Sequence, residues 1–116
     1  MNRDEFVSAI REEIVDSNLS SYRQLFIENR PESATDPYWQ EALRFFGSLP
    51  TSERTVFFRI LRQVTVDTIS SILGMLDGVW ELKDQEGDFD LLLAGERLNG
   101  DLQDEFLAAE EDSPSQ

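Results

Sequence analysis

The sequence predicts an α+β fold in which helix predominates: four to five helices around one long central helix at about residues 52–77, and a small two-stranded antiparallel hairpin at about 79–94. Three observations carry this expectation. Apolar residues recur at helical spacing through most of the first 77 positions. The longest such run is bounded by a Thr51/Ser52 cap and by Gly78, which suits a left-handed C-terminal stop. Beyond Gly78 the period changes to alternation, in Val79-Trp80-Glu81-Leu82-Lys83 and less cleanly in Phe89-Asp90-Leu91-Leu92-Leu93.

Each element has its own signal. Asn2 is placed to cap a first helix, with Asp4 and Glu5 where the helix dipole favours acids. Phe6, Val7, Ile10 and Ile14 give that helix an apolar face, and it is expected to end near Asn18. Ser20 or Ser21 caps a second, short helix carrying Tyr22, Leu25 and Phe26, and a single kinked helix is the alternative. Pro31 to Thr35 reads as a loop. Asp36-Pro37 starts the next helix, with Trp39, Leu43 and Phe46 at i, i+4 and i+7, and Gly47 is expected to stop it.

The long helix carries two apolar faces. Phe57, Ile60, Leu61, Val64 and Ile72 mark one, and Phe58, Ile69, Leu73 and Leu76 the other, so it is expected to be surrounded. Asp84 to Asp88 is turn material between the two strands, although Leu91 to Ala94 also fits a helix. Asn99-Gly100 is a turn, and Asp101 caps a last helix with Leu102, Phe106 and Leu107 inside. One domain over 1–109 is implied, with 110–116 as a frayed acidic tail.

Composition excludes much chemistry. Histidine and cysteine are both absent from the 116 residues. Without them, Ser-His and Cys-His nucleophiles, His-based metal sites, thiolate sites and disulfides are all ruled out. The single lysine, Lys83, sits among Glu81, Asp84 and Glu86 and reads as a solvated charge. Asp84-Gln85-Glu86-Gly87-Asp88-Phe89-Asp90 has the acidic alternation of a calcium loop. Its glycine falls two positions early, however, and Gly95 stands where the bidentate Glu belongs, so an acidic turn is the better reading. No glycine-rich phosphate loop is present. The sequence thus implies no catalytic residues, no metal and no cofactor, and the chain is expected not to be an enzyme. A small carboxylate-dependent enzyme is the weakest of the alternatives.

Charge points to a partner. The formal net charge is −14, from 24 acids and 10 bases. Residues 1–49 carry −4, residues 50–77 are neutral, and residues 78–116 carry −10. Such a surface repels phosphate backbones and anionic lipid and attracts basic protein surfaces. No segment is apolar enough to span a membrane, because Arg59, Arg62, Gln63 and Asp67 interrupt the best one. A cytoplasmic protein is expected, since the N-terminus has no signal-peptide layout.

The leading functional expectation is a small acidic interaction protein that neutralises or regulates a basic protein partner. In type it is similar to the immunity proteins of bacterial nuclease toxins and to antitoxins, with no motif in common. A nucleic-acid mimic occupying a DNA-binding protein is the runner-up. Asp88, Asp90, Asp101, Asp104 and Glu105 are the expected partner-binding residues, and neither nucleic acid nor membrane is expected as a partner. Phe45-Phe46 and Phe57-Phe58 cannot both point inward from single helices, which leaves a homodimer open.

Overall fold

The computed structural model describes residues 1–113. Among these the chain forms α1 (Arg3–Ala9), a π-helical segment (Ile10–Asp16), α2 (Ser17–Glu28), a 3-10 turn (Pro31–Ser33), α3 (Pro37–Ser48), α4 (Thr51–Leu76), β1 (Leu92–Leu93), β2 (Glu96–Arg97) and α5 (Leu102–Glu111). The fold is therefore α+β and predominantly helical, with one long helix and one antiparallel hairpin.

The first 26 helical positions run without a break, and the π segment explains why they resist a single 3.6-residue reading. In a continuous α-helix, Val15, Leu19 and Phe26 would point about 80–120° away from Val7. Winding roughly one surplus residue into i→i+5 bonds brings them onto one stripe. Val7, Val15 and Phe26 are in fact all buried. The expected break near Asn18 is thus a change of winding inside one helical run. Asn2 caps it as expected, in a reciprocal capping box with Glu5 (2.9 and 3.1 Å).

At α3, Asp36 accepts from the Tyr38 backbone N–H at 2.9 Å and Pro37 takes the first helical position. Gly47 lies inside this helix, which ends one residue later. The cap of α4 is Pro50, whose carbonyl receives the N–H groups of Glu53 and Arg54 at 3.0 Å, and neither Thr51 nor Ser52 supplies a side-chain cap. The C-terminus of α4 closes in a Schellman motif. The N–H of Val79 donates to the Gly74 carbonyl (2.8 Å), that of Gly78 donates to Met75 (3.1 Å), and Gly78 sits at φ +80°.

Two apolar clusters lie along α4. Val7, Val15, Val66, Leu73, Leu102 and Phe106 form the first, between α1, the π segment, α4 and α5. Phe26, Leu43, Phe46 and Phe58 form the second, between α2, α3 and the first half of α4. Phe57 is half-buried beside it and Phe45 lies at its rim, 6.1 Å from the Phe57 ring. So one member of each Phe pair does turn sideways. α4 is the spine of the fold, yet it is not surrounded: Val56, Ile60, Val64 and Ile72 are each about half exposed (49–59%). The radius of gyration is 17.7 Å and the extents are 49 × 34 × 24 Å, against about 13 Å for a compact chain of this length.

The hairpin is real but displaced from the expected strands. Residues 79–91 form no strand and no helix, only isolated turns and bends in irregular chain, and the ladder pairs Leu92 with Arg97 and Leu93 with Glu96. Its two-residue turn, Ala94-Gly95, has positive φ at both positions (52° and 84°), as type I′ requires. Alanine rarely takes that conformation, so Ala94 carries no turn signal in the sequence.

The first residues of the expected acidic tail lie within α5. Glu110 and Glu111 form the last turn of α5, and Glu110 is engaged by two arginines. The remainder of that tail, 114–116, lies outside the described residues.

Candidate interaction surface

The chain between α4 and α5 is an arm of charged and apolar residues. It leaves α4 at Gly78 and returns at Leu98, which is buried. Between them, side chains of both kinds face solvent. Val79, Trp80, Leu82, Phe89, Leu92 and Leu93 are exposed, interleaved with Glu81, Asp84, Glu86, Asp88, Asp90 and Glu96.

Although nearly devoid of regular structure, the arm is pinned by hydrogen bonds. The Trp80 indole N–H donates to the Ser71 carbonyl on α4 (2.9 Å). Gln85 closes a turn by accepting from the Leu82 N–H (3.0 Å) and donating to the Gly87 carbonyl (2.8 Å). Asp84 adopts φ +68°, tolerable for a short polar residue.

Asn99 holds the base of the arm. Buried to 6% exposure, its amide accepts from the Leu91 N–H (2.9 Å) and donates to the Phe89 carbonyl (2.8 Å) and to the Leu76 carbonyl at the end of α4. Its partners lie 8, 10 and 23 residues away, so no local pattern marks it as more than a turn residue. Asp77 does the complementary work. Its carboxylate accepts from the backbone N–H groups of Gly100 (2.6 Å) and Gln103 (2.8 Å), serving α5 as its cap from across the structure.

That assignment displaces Asp101, which makes no side-chain cap bond. The Asp101 carboxylate instead pairs with Arg3 (2.8 Å), which also reaches Glu105 at 3.3 Å. Partial burial and the neighbouring Asp4 push the Glu105 carboxyl above its ordinary value, and Arg3 only partly offsets them. Asp90 pairs with Arg97 across 3.2 Å. Of the five residues expected to face a partner, then, Asp101, Glu105 and Asp90 already have arginine neighbours, while Asp88 and Asp104 are exposed and without an ion pair among the described residues. The arm gathers Asp88 and Asp90, whereas Asp101, Asp104 and Glu105 belong to the start of α5.

The other charged constellation joins α5 to the rest. Arg62 grips Glu110 with two bonds (2.8 and 3.0 Å) and Asp16 with a third (3.1 Å), while Arg11 reaches Glu110 at 3.2 Å. The Arg62 hydrogen bond, aided by Arg11 and opposed by burial, holds the Glu110 carboxyl below its ordinary value; the same bond pushes the Arg62 guanidinium up. Arg11 Nε is buried without a partner, the one such side-chain atom among the described residues.

Two open grooves flank Arg62. One of about 340 Å³ is lined by Asp16, Leu19, Arg23 and Phe58, and one of about 690 Å³ lies between α4 and α5. With its guanidinium committed to Glu110 and Asp16, Arg62 acts here as a strut between helices. Among the described residues, no three carboxylates come together as a metal would need, and no helix is long and apolar enough to cross a membrane.

Comparison of the chain with known protein families, curated proteins and solved structures returned no match.

Proposed function

We propose that this chain is a non-catalytic interaction protein whose arm, residues 79–97, docks on a basic protein surface. One observation carries the reading: the arm displays six carboxylates and two basic residues together with six large apolar side chains, all outside the two cores. Interfaces combine such ingredients, with apolar anchors that lose water and charges that steer the encounter. A segment kept only for solubility needs the charges and has no use for exposed Trp80, Phe89 and Leu92. The pinning by Asn99, Trp80 and Gln85 means that little backbone order has to be gained on binding. This supports a binder of the immunity-protein or antitoxin type acting on a basic partner.

The test starts with the partner recovered by affinity purification on the intact chain. Its association is then followed by stopped flow at several salt concentrations. A triple variant, Asp84→Asn, Glu86→Gln and Asp88→Asn, should slow association and flatten its salt dependence. Phe89→Ala with Leu92→Ala should instead speed dissociation. A recovered partner without basic character, or one indifferent to both variants, refutes the reading. Displacement of DNA from that partner would redirect it to a nucleic-acid mimic.

A further inference from the structure

We infer that Asn99-Gly100 is a latent deamidation site, and that its conversion to aspartate or isoaspartate releases the arm from the end of α4. This concerns how the arm is held and does not rest on its having a partner.

The chemistry needs only this chain and water. The Gly100 backbone nitrogen attacks the Asn99 side-chain carbon Cγ. The new C–N bond closes a succinimide ring, the Cγ–Nδ2 bond breaks, and ammonia leaves with the proton from the Gly100 nitrogen. Water then opens the ring at one carbonyl to give aspartate or at the other to give isoaspartate. A side chain on the following residue crowds this attack, and of the chain's four asparagines only Asn99 precedes glycine; Asn2, Asn18 and Asn29 precede Arg3, Leu19 and Arg30. The fold itself demands that glycine, because residue 100 sits at φ +135°, where side chains are rarely found.

In the closed arm both reacting groups are occupied. The Asn99 amide is buried and engaged at both ends: Nδ2 donates to the Leu76 and Phe89 carbonyls, and Oδ1 accepts from the Leu91 N–H and from Arg97 Nε (3.2 Å). The Gly100 N–H donates to the Asp77 carboxylate at 2.6 Å, whose charge opposes the proton loss that makes the nitrogen a nucleophile. Reaction therefore waits for local opening of this segment.

The product does not close again. Oδ1 keeps its two donors, but an oxygen replaces the nitrogen that bridged Leu76 and Phe89. A buried carboxylate then faces two carbonyl oxygens that have lost their donor. Those two bonds are the ones that join the arm at Phe89 to the end of α4 at Leu76. Isoaspartate adds a methylene to the main chain at the same point. The helix α5 stays in place, because Leu102, Phe106 and the Asp77–Gln103 bond hold it independently of Asn99.

The test ages the purified full chain at mildly alkaline pH, with and without guanidinium chloride, and follows deamidation by mass spectrometry of its peptides. In denaturant Asn99 should react faster than the other three asparagines, and in the native chain it should react at least about tenfold more slowly than in denaturant. The aged native product, separated by the negative charge it gains, and the Asn99→Asp variant should both lose hydrogen-exchange protection at the Leu91 and Leu98 amides, which the closed arm engages. Their helical circular dichroism should be retained. An Asn99 that reacts no faster than the other asparagines in denaturant, or as fast in the native chain as in the denatured one, overturns the inference. So does a product whose arm keeps its protection, or one in which α4 and α5 unfold as well, since Asn99 would then hold more than the arm.

Discussion

The two apolar clusters along α4 differ in what fills them and in what closes them. The first is largely aliphatic, and Val15, Leu102 and Phe106 in it are fully buried. Small branched side chains allow the π segment, α4 and α5 to approach closely, and the Arg11–Glu110–Arg62 lattice joins the helices at the edge. The second is aromatic, with Phe26 meeting Phe46 at 5.1 Å and Phe57 edge-on at 5.1 Å, and its buried members retain 3–9% exposure. Rings fill a wider gap and leave a rim. There arginines lie over ring faces, Arg23 at 4.4 Å above Phe58 and Arg54 at 4.8 Å above Phe46. The same residue type seals both clusters, through carboxylates in one and π faces in the other. Only the first seal can titrate near a carboxylate's range.

Breaking the tighter cluster should cost most. Phe106→Ala removes a fully buried ring and should destabilise by about 3–5 kcal/mol in chemical denaturation. Phe26→Ala, whose ring keeps 8% exposure, should cost less. The reverse order would mean that the aromatic cluster is the more rigid one.

The seals come next. Glu110→Gln should cost about 1–2 kcal/mol near neutral pH, after discounting for the water that reaches the pair. Because folding lowers the Glu110 pKa, its contribution is full above the ordinary carboxylate range and is lost as pH falls below it. The variant should therefore lose less stability on acidification than the wild type. Glu105 has the opposite sign: its raised pKa means the folded state gains relative stability as pH falls, so Glu105→Gln should steepen the acid limb. Urea titrations at a series of pH values separate the two. Arg23→Ala, at the aromatic rim, should cost only about 0.5–1 kcal/mol and leave the acid limb unchanged.

The smallest effect is expected outside both clusters. Ile72 carries helical spacing that suggests core, and on the sequence alone Ile72→Ala would match Leu61→Ala at about 2–5 kcal/mol. With Ile72 half exposed and Leu61 packed against the aromatic cluster, the alanine variants should separate, Ile72→Ala costing below about 1 kcal/mol. Equal losses would show that the outer face of α4 is covered in solution.

What was legible in the sequence follows from distance along the chain. The Asn2 capping box, the Asp36-Pro37 start and the Gly78 stop each depend on residues within five positions, and each is where local chemistry puts it. The features that missed are governed by remote partners. Glu110 looks like tail until Arg62 and Arg11 arrive from 48 and 99 residues away. Asp77 caps a helix 26 residues further on. Residues 79–83 alternate like a strand, but they have no neighbouring strand with which to form a ladder. Two apolar faces on α4 made it look enclosed, because sequence counts apolar positions without counting the helices there to cover them. Of the candidate site, the acidic arm was visible in composition, whereas the arginines already beside Asp90, Asp101 and Glu105 were not.

The π segment has a consequence for chain length. Elsewhere between Val7 and Phe26, deleting one residue would swing the downstream part of the helix by about 100° and lift Phe26 out of its cluster. Between Ile10 and Asp16 the helix carries a spare residue, so losing a solvent-facing one such as Glu13 lets the segment relax to ordinary winding while Val7 and Phe26 keep their common direction. This stretch is a splice point, the place in the first helical run where the protein can be one residue shorter and remain the same shape.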